Sequence, residues 1–548
     1  MPSPYRDLLD KIRLAFPRPV SDKVHDSYFV HSILRALDRV DDLKTEVPLL
    51  GKPVEPDYDA ARKASLRTKA VSIEEVTAEL VGYLQGMPIH GHPRFQENVI
   101  PPPSIASLIG ILLSALYNPN LCWDAHSRLI ALAEVEIASI AARLVGYDPA
   151  QSAGLFTFGG TGTTLYGVKI GLEKACPKTM SEGIREPVYL FASEAAHYCK
   201  YNIASWLGLG ANRFVSIPCD QANEIDLTFL EHRLREVIEQ GGKIAAIIAT
   251  MGSTDAFGLD NLEGIVALRD RLAAEYKLPY RPHVHADAVI GWAWSVFNDY
   301  NIDANPLGFR RRTVRAIAGA CRRLRHLHLA DSIGIDYHKT GFVPYVSSQI
   351  LLKNREDLDL LSRDPEQMPY LYHFGAYKPG MFTLETSRSG TGIMAALANL
   401  RLLGQEGLQV MLGHLVEMAQ LLREYLEGYA TTTVLNRDNV GTVTIFRVYP
   451  PNVDTFTIKQ QEFGDPAYRD LLHKHNEYNR RISAYLHDEA MAGRGVLLSL
   501  TDCYRLTSYG EPIVGLKSFI LSPFVDEEHI QTVVDKVREA QAKVPVDG

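Results

Sequence analysis

Apolar and polar positions divide the chain into three regimes. Up to about residue 75, charge and proline are dense, with helical periodicity near residues 8–16 and 28–40. This stretch is too polar to build a core alone, so it is expected to pack on something else. Ser72 and Glu75 frame a capping-box start to an amphipathic helix over 71–87. Residues 90–95 read as a loop, followed by Pro101, Pro102 and Pro103. Helices are expected over 104–117, ended by Asn118-Pro119-Asn120, and over 125–145, ended by Gly146. From residue 150 the pattern changes. Short apolar runs (155–158, 188–192, 213–217, 244–250, 283–286, 327–335, 346–353) alternate with helical stretches (163–176, 195–207, 227–239, 262–276). Buried runs separated by helices imply a mainly parallel sheet covered on both faces. After Gly390 the helices lengthen (393–403, 407–429). Strands near 442–448, 496–500 and 516–522 follow, then a last helix over 526–543, as in a small α+β domain. The expected organisation is an N-terminal helical segment over 1–88, a large α/β domain over 89–389 and a small domain over 390–548.

Composition narrows the class. The chain has 548 residues, 46% apolar and 22% charged, with a net charge of −8, which suits a soluble globular protein and argues against nucleic-acid binding. The one basic cluster, Arg310, Arg311, Arg312, Arg315, Arg322, Arg323 and Arg325, reads as a solvated or interface face rather than a polyanion site. The six cysteines form no Cys-x-x-Cys pair and are too dispersed for a disulfide framework, so they read as reduced thiols of a cytoplasmic protein. The N-terminus has no signal-like apolar region, and no 18-residue apolar run marks a membrane span.

Four features carry chemistry. Gly159-Gly160-Thr161-Gly162-Thr163 stands between a strand-like and a helix-like run, where glycines and a helix N-terminus accept an anion. It is neither Gly-x-Gly-x-x-Gly, since Leu165 fills the last position, nor a Walker motif. His197 opens the next helical stretch. His285-Ala286-Asp287 ends a strand-like run. Asp336-Tyr337-His338-Lys339 follows another and leads into Thr340 to Tyr345. Thr254 ends the polar turn after the most apolar strand. Alone, each has an ordinary alternative: a glycine turn, a capping histidine, a buried aspartate capping a turn, a solvated lysine. Their order and strand-end placement together give the parts of a pyridoxal phosphate (PLP) site, because ligands of such sheets bind beyond the carboxyl ends of the strands. His283 and His285 alternate, as do His326 and His328, but no carboxylate or thiol stands at matching spacing and no metal is expected.

At these residues the chain resembles the group II PLP-dependent decarboxylases of fold type I, over roughly 89 to the end. Asp331-Ser332 with Asp336-Tyr337-His338-Lys339 is similar to their Asp-Ser…Asp-Pro-His-Lys, with Tyr337 in place of proline. His285-Ala286-Asp287-Ala288 is similar to His-Val-Asp-Ala, Gly252-Ser253-Thr254 to Gly-Thr-Thr, and Ser387-Arg388-Ser389-Gly390 to the element opening the small domain. The run after Lys339 and Lys378-Pro379-Gly380 are similar to the bacterial tyrosine decarboxylase branch. The resemblance implies an aspartate-aminotransferase-like large domain with a mainly parallel seven-stranded sheet. It implies Lys339 as the Schiff-base lysine, Asp287 at the pyridinium, His197 on the ring and Thr254 at the phenolic oxygen. Thr161, Gly162, Thr163 and His338 would bind the phosphate, with Ser332 nearby. It implies a homodimer with active sites at the interface and no membrane or nucleic-acid partner. Tyr370 or Tyr372, in a Pro-rich segment over 364–380, would protonate Cα. The expected activity is α-decarboxylation of an L-amino acid, tyrosine-like favoured. The rivals are a carbon–carbon lyase of the sphingosine-phosphate lyase kind and a non-catalytic PLP-fold binding protein.

Overall fold

The computed structural model describes residues 4–368, 373–451 and 453–546. The polar N-terminal region forms helices Pro4–Arg13, Lys23–Asp41 and Ile73–Gly82. Ser72 Oγ accepts from the Glu75 N–H at 3.1 Å, as the capping pattern requires, while the Glu75 carboxylate turns to Arg67.

The first strand, β1 (Phe95–Gln96), emerges from what reads as loop in the sequence. The next seven strands are β2 (Ala153–Thr157), β3 (Val188–Ser193), β4 (Phe214–Ile217), β5 (Lys243–Thr250), β6 (His283–Asp287), β7 (Ser332–Asp336) and β8 (Ser348–Leu352). They form one sheet in the order β2-β8-β7-β6-β5-β3-β4. Only β8 runs against its neighbours. This is the mainly parallel α/β architecture that the alternation predicts, with the seven strands that the resemblance implies. The seven-residue run Ile244–Thr250 of β5 is buried throughout, because helices cover both faces and every side chain meets apolar neighbours. The six co-directed strands therefore end at one edge, and the antiparallel β8 begins there.

A second sheet joins β9 (Thr432–Val434), β10 (Val443–Val448), β11 (Leu497–Thr501) and β12 (Gly515–Phe519) with β1, in the order β1-β11-β12-β10-β9. The helix Thr391–Glu427 spans the two stretches read separately in the sequence, and its non-helical Gly404 (φ 58°) marks the break between them. Among the helices that escape the sequence reading, two are long. Arg311–Leu324 buries Thr313, Ala316, Ile317, Ala320, Cys321 and Leu324, a face of mostly small residues that gives weak apolar contrast. Arg469–Met491 buries His475, Asn476 and Asn479 among its core positions, so polar residues interrupt its period.

Arg388, at the opening of the Thr391–Glu427 helix, ties that region to the large sheet. Its guanidinium reaches both Glu134 oxygens, at 2.7 and 2.9 Å, and Glu134 also accepts from the Phe156 N–H and from Tyr377 Oη. All six cysteines are free thiols. Among the described residues no helix is long and apolar enough to cross a membrane.

Candidate active site

The carboxyl edge of the large sheet gathers most of the chemistry-bearing motifs. β2 ends at Thr157, and the helix Gly160–Ala175 starts just beyond it, with Gly159 at φ 122°. A Cβ at Gly160 would lie 2.7 Å from Asp336 Oδ2, so only glycine lets this helix N-terminus close on the end of β7. The first N–H groups of a helix lack intrahelical acceptors and face an anion with the positive end of the dipole. Thr161 is exposed at this terminus and Gly162 is buried. Thr163 is buried and donates its hydroxyl to the Gly160 carbonyl at 2.7 Å.

Lys339 lies one turn beyond β7. Its Nζ is 2.9 Å from Asp336 Oδ2, and His338 Nε2 is 3.5 Å from the same oxygen. Ser348 at the start of β8 donates to Asp336 Oδ1 at 2.6 Å. Burial pushes the Lys339 ammonium down, but the charges of Asp336 and Asp287 outweigh it and hold its pKa above the usual lysine value. The sequence suggested a desolvated lysine or a cationic neighbour. The structure supplies desolvation with anionic neighbours, so in the cofactor-free chain the ammonium is the stable form.

Asp287 ends β6 next to β5, with Thr250 directly opposite it. It is buried, and its Oδ1 has no hydrogen-bond partner. Burial raises its pKa to about 6, opposed by Lys339 and reinforced by Asp336. Thr254 lies half-buried on the turn after β5, which is closed by Gly252 and Ser253 N–H groups donating to the Gly258 carbonyl at 3.0 and 3.1 Å. His197 precedes the helix Cys199–Trp206 rather than opening it, and its Nδ1 accepts from the Cys199 N–H at 3.2 Å. Its pKa is lowered by burial and then by the charge of Lys339.

Ser332 is not brought to this cluster. It begins β7, at the opposite edge, and its Oγ lies 2.8 Å from both His283 Nε2 and His285 Nδ1. Burial holds both histidines neutral, with pKa values lowered to about 3. Tyr370 and Tyr372 lie outside the described residues. Tyr337, where the resembled motif has proline, fills a buried slot below the lysine turn. It stacks on Phe156 at 5.7 Å, meets the Trp292 ring edge-on at 5.0 Å and donates to Gln349 at 2.9 Å.

Three neighbours of Lys339 have no role in the sequence reading. Asp336 belongs to the lysine motif, and its position three residues before Lys339 is the available signal. Tyr345 stands in the same run, its ring 4.1 Å from that of His338 and its hydroxyl on the Val99 carbonyl. Ser348 reaches the site only through the antiparallel return of β8, and nothing local in the sequence marks it.

The arrangement fits PLP on two structural grounds. An unpartnered, buried carboxylate oxygen awaits a cationic N–H, and an open helix N-terminus beside His338 awaits a dianion. Comparison with known proteins agrees. The model of the pyridoxal-dependent decarboxylase conserved domain matches residues 56–448. The chain is 24% identical over 377 residues to L-2,4-diaminobutyrate decarboxylase of Acinetobacter baumannii, covering 66% of this chain and 68% of that protein. It is 26% identical over 357 residues to L-tyrosine decarboxylase of Enterococcus faecium, covering 62% of this chain and 56% of that protein. The crystal structure of mouse CSAD in apo form superposes with a TM-score of 0.76 at 16% identity, over 95% of this chain and 99% of that one.

Proposed function

Since the chain belongs to the pyridoxal-dependent decarboxylase family, whose cofactor is PLP, we propose that it removes the α-carboxyl group of an L-amino acid, releasing the amine and CO2, with an aromatic, tyrosine-like substrate favoured. When bound, PLP supplies the electron sink for the pair left by the departing carboxylate. Lys339 would hold the cofactor covalently through Nζ, with Asp287 at the ring nitrogen, His197 over a ring face and Thr254 at the phenolic oxygen. The phosphate would be received by His338 and the Thr161, Gly162 and Thr163 N-terminus. The proposed working division is 1–88, 89–389 and 390–548.

The single observation that carries this reading is the unpartnered Oδ1 of Asp287, buried next to a buried lysine at the ligand-binding edge. Such a group is destabilising unless a ligand completes it. The aromatic preference is supported by the part-exposed ring of Tyr345 beside His338 and by the tyrosine decarboxylase among the relatives. A cytoplasmic homodimer belongs to the same proposal. The helix Ile105–Tyr117 leaves Leu108, Ile109, Leu112 and Leu113 about half exposed, an apolar face suited to a second copy.

The test is CO2 release by the PLP-loaded protein from a panel of L-amino acids, beside Lys339→Ala. The expected outcome is release led by an aromatic substrate and no turnover in the variant. Aldehyde release without CO2 would select a carbon–carbon lyase, and turnover by Lys339→Ala would remove the lysine from its role.

A further inference from the structure

The arginine cluster on the Arg311–Leu324 helix has no part in the proposed reaction, and most of it behaves as a surface cluster should. Arg310 pairs with Glu417 and Glu527, Arg312 with Glu424, and Arg323 with Glu224. Arg315 and Arg322, like Arg311 at the start of the helix, differ. Neither has an ion pair or a hydrogen bond among the described residues. They are seven positions apart, so they share one helix face, with Gly319 between them.

That face lines a cleft of about 480 Å³, partly open to solvent, with both guanidinium side chains exposed. The opposite walls are Ala222 and Glu224, Phe257 and Leu259 from the turn after β5, and Asp438, Asn439 and Val440 from the connection between β9 and β10. The walls are fastened to each other. Asn223 Nδ2 donates to Asn439 Oδ1 at 2.6 Å, and Asn439 Nδ2 donates to the Ala222 carbonyl at 2.7 Å. The Asn439 carbonyl accepts from the buried Arg423 at 2.7 Å. The floor depends on glycine, because a Cβ at Gly319 would already lie 3.1 Å from Val440 Cγ2.

Glu224 is held by Arg323, its oxygens facing Nε at 3.1 Å and Nη2 at 2.5 Å. Asp438 is then the one lining carboxylate left to offset two unpaired guanidiniums. We propose that this cleft binds a small multivalent anion, a phosphate ester or a di- or tricarboxylate, gripped by Arg315 and Arg322. Guanidinium forks match the paired oxygens of either group, and Val440 with the edge of Leu259 offers an apolar wall to a carbon body. The volume suits a metabolite-sized ligand and not a nucleic-acid strand. None of the residues around Lys339 lines it, although Phe257 shares a turn with Thr254.

The test is isothermal titration of the PLP-loaded full chain with inorganic pyrophosphate and, separately, with citrate at physiological ionic strength. Saturable binding of either probe at one site per chain is expected, the stronger probe identifying phosphate or carboxylate as the natural chemistry. Arg315→Ala and Arg322→Ala should each weaken it by at least about tenfold, with CO2 release in the absence of probe unchanged. Gly319→Leu, which fills the floor and removes no charge, should abolish it. The proposal is overturned if neither probe saturates below about 10 mM, or if binding survives the double arginine substitution. Loss in the arginine variants but not in Gly319→Leu would also overturn it, since the ions would then be meeting a charged face and not a cleft.

Discussion

Two buried clusters of charged side chains are completed differently. Beside the second sheet, Glu462 and Arg447 are both fully buried. Glu462 Oε1 accepts from Tyr449 Oη at 2.6 Å and faces Arg447 Nε at 3.2 Å, and Oε2 meets His475 Nδ1 at 2.7 Å. Arg447 reaches Asn476 and the Val514 carbonyl besides. At the edge of the large sheet, Asp287 Oδ1 has no partner, and Asp336 Oδ2 faces both Lys339 and His338. The first cluster is nearly closed within the chain, Arg447 Nε making the 3.2 Å ion pair to Glu462 but no hydrogen bond, so removing a member leaves an unpaired charge. The second leaves a carboxylate oxygen, Asp287 Oδ1, without a partner among packed strands, and in the proposed function the cofactor completes it. That unpartnered carboxylate oxygen, more than burial or charge, distinguishes the second cluster from the first.

The sharpest way to break this comparison is to remove one charge from each cluster. Asp287→Asn is expected to lower the rate of CO2 release by roughly a thousandfold, about 4 kcal/mol of barrier. The cofactor-free variant should unfold no earlier than the parent near neutral pH, because the change removes a charge whose burial lacks full compensation. A large fall in Tm would mean that Asp287 is as well satisfied as Glu462. Glu462→Gln should do the reverse. Stranding Arg447 and His475 should destabilise the chain by about 3–5 kcal/mol, read as a lower denaturation midpoint, with CO2 release per folded chain unchanged.

The sequence made the open site easier to read than the closed one. Strand ends are marked by apolar runs breaking into Gly, His, Asp and Lys, so the catalytic edge followed from pattern and strand direction. Proximity along the chain misled at Ser332. It stands only seven residues before Lys339, but β7 is extended, and at ~3.3 Å per residue its start lies about 13 Å from Asp336. The ion pair between Asp336 and Lys339 depends on side-chain placement in a turn, and the bond from Ser348 depends on an antiparallel return. The first leaves only the three-residue spacing as a signal, and the second leaves none. The closed cluster was illegible for a related reason. His475, Asn476 and Asn479 occupy core positions of their helix, so the pattern reads as surface. The roles of Arg315 and Arg322 likewise depend on what faces them across a cleft.

A smaller effect tests the same contrast through protons. Burial raises Asp287 from its ordinary value of 3.8 to about 6. Between those values the folded chain keeps a proton that the unfolded chain has released, so this group makes stability fall as pH rises through the window. Above it the folded carboxyl is ionised and the destabilisation is complete. His283 and His285 act with the opposite sign. Burial lowers both from 6.5 to about 3, so the unfolded chain takes up protons that the folded chain refuses, and their contribution grows as pH rises toward 6.5. The two slopes overlap, and the parent's own pH profile mixes them. Subtracting the profile of Asp287→Asn cancels the histidines, which lie at the other end of the strand pair against Ser332. For the cofactor-free chains, the Tm of the parent minus that of the variant should be highest near pH 4. It should decline up to about pH 6 and stay level beyond about pH 7. A difference independent of pH would place Asp287 at its ordinary value in the fold. A difference that rises instead would mean its carboxylate is as fully partnered as Glu462.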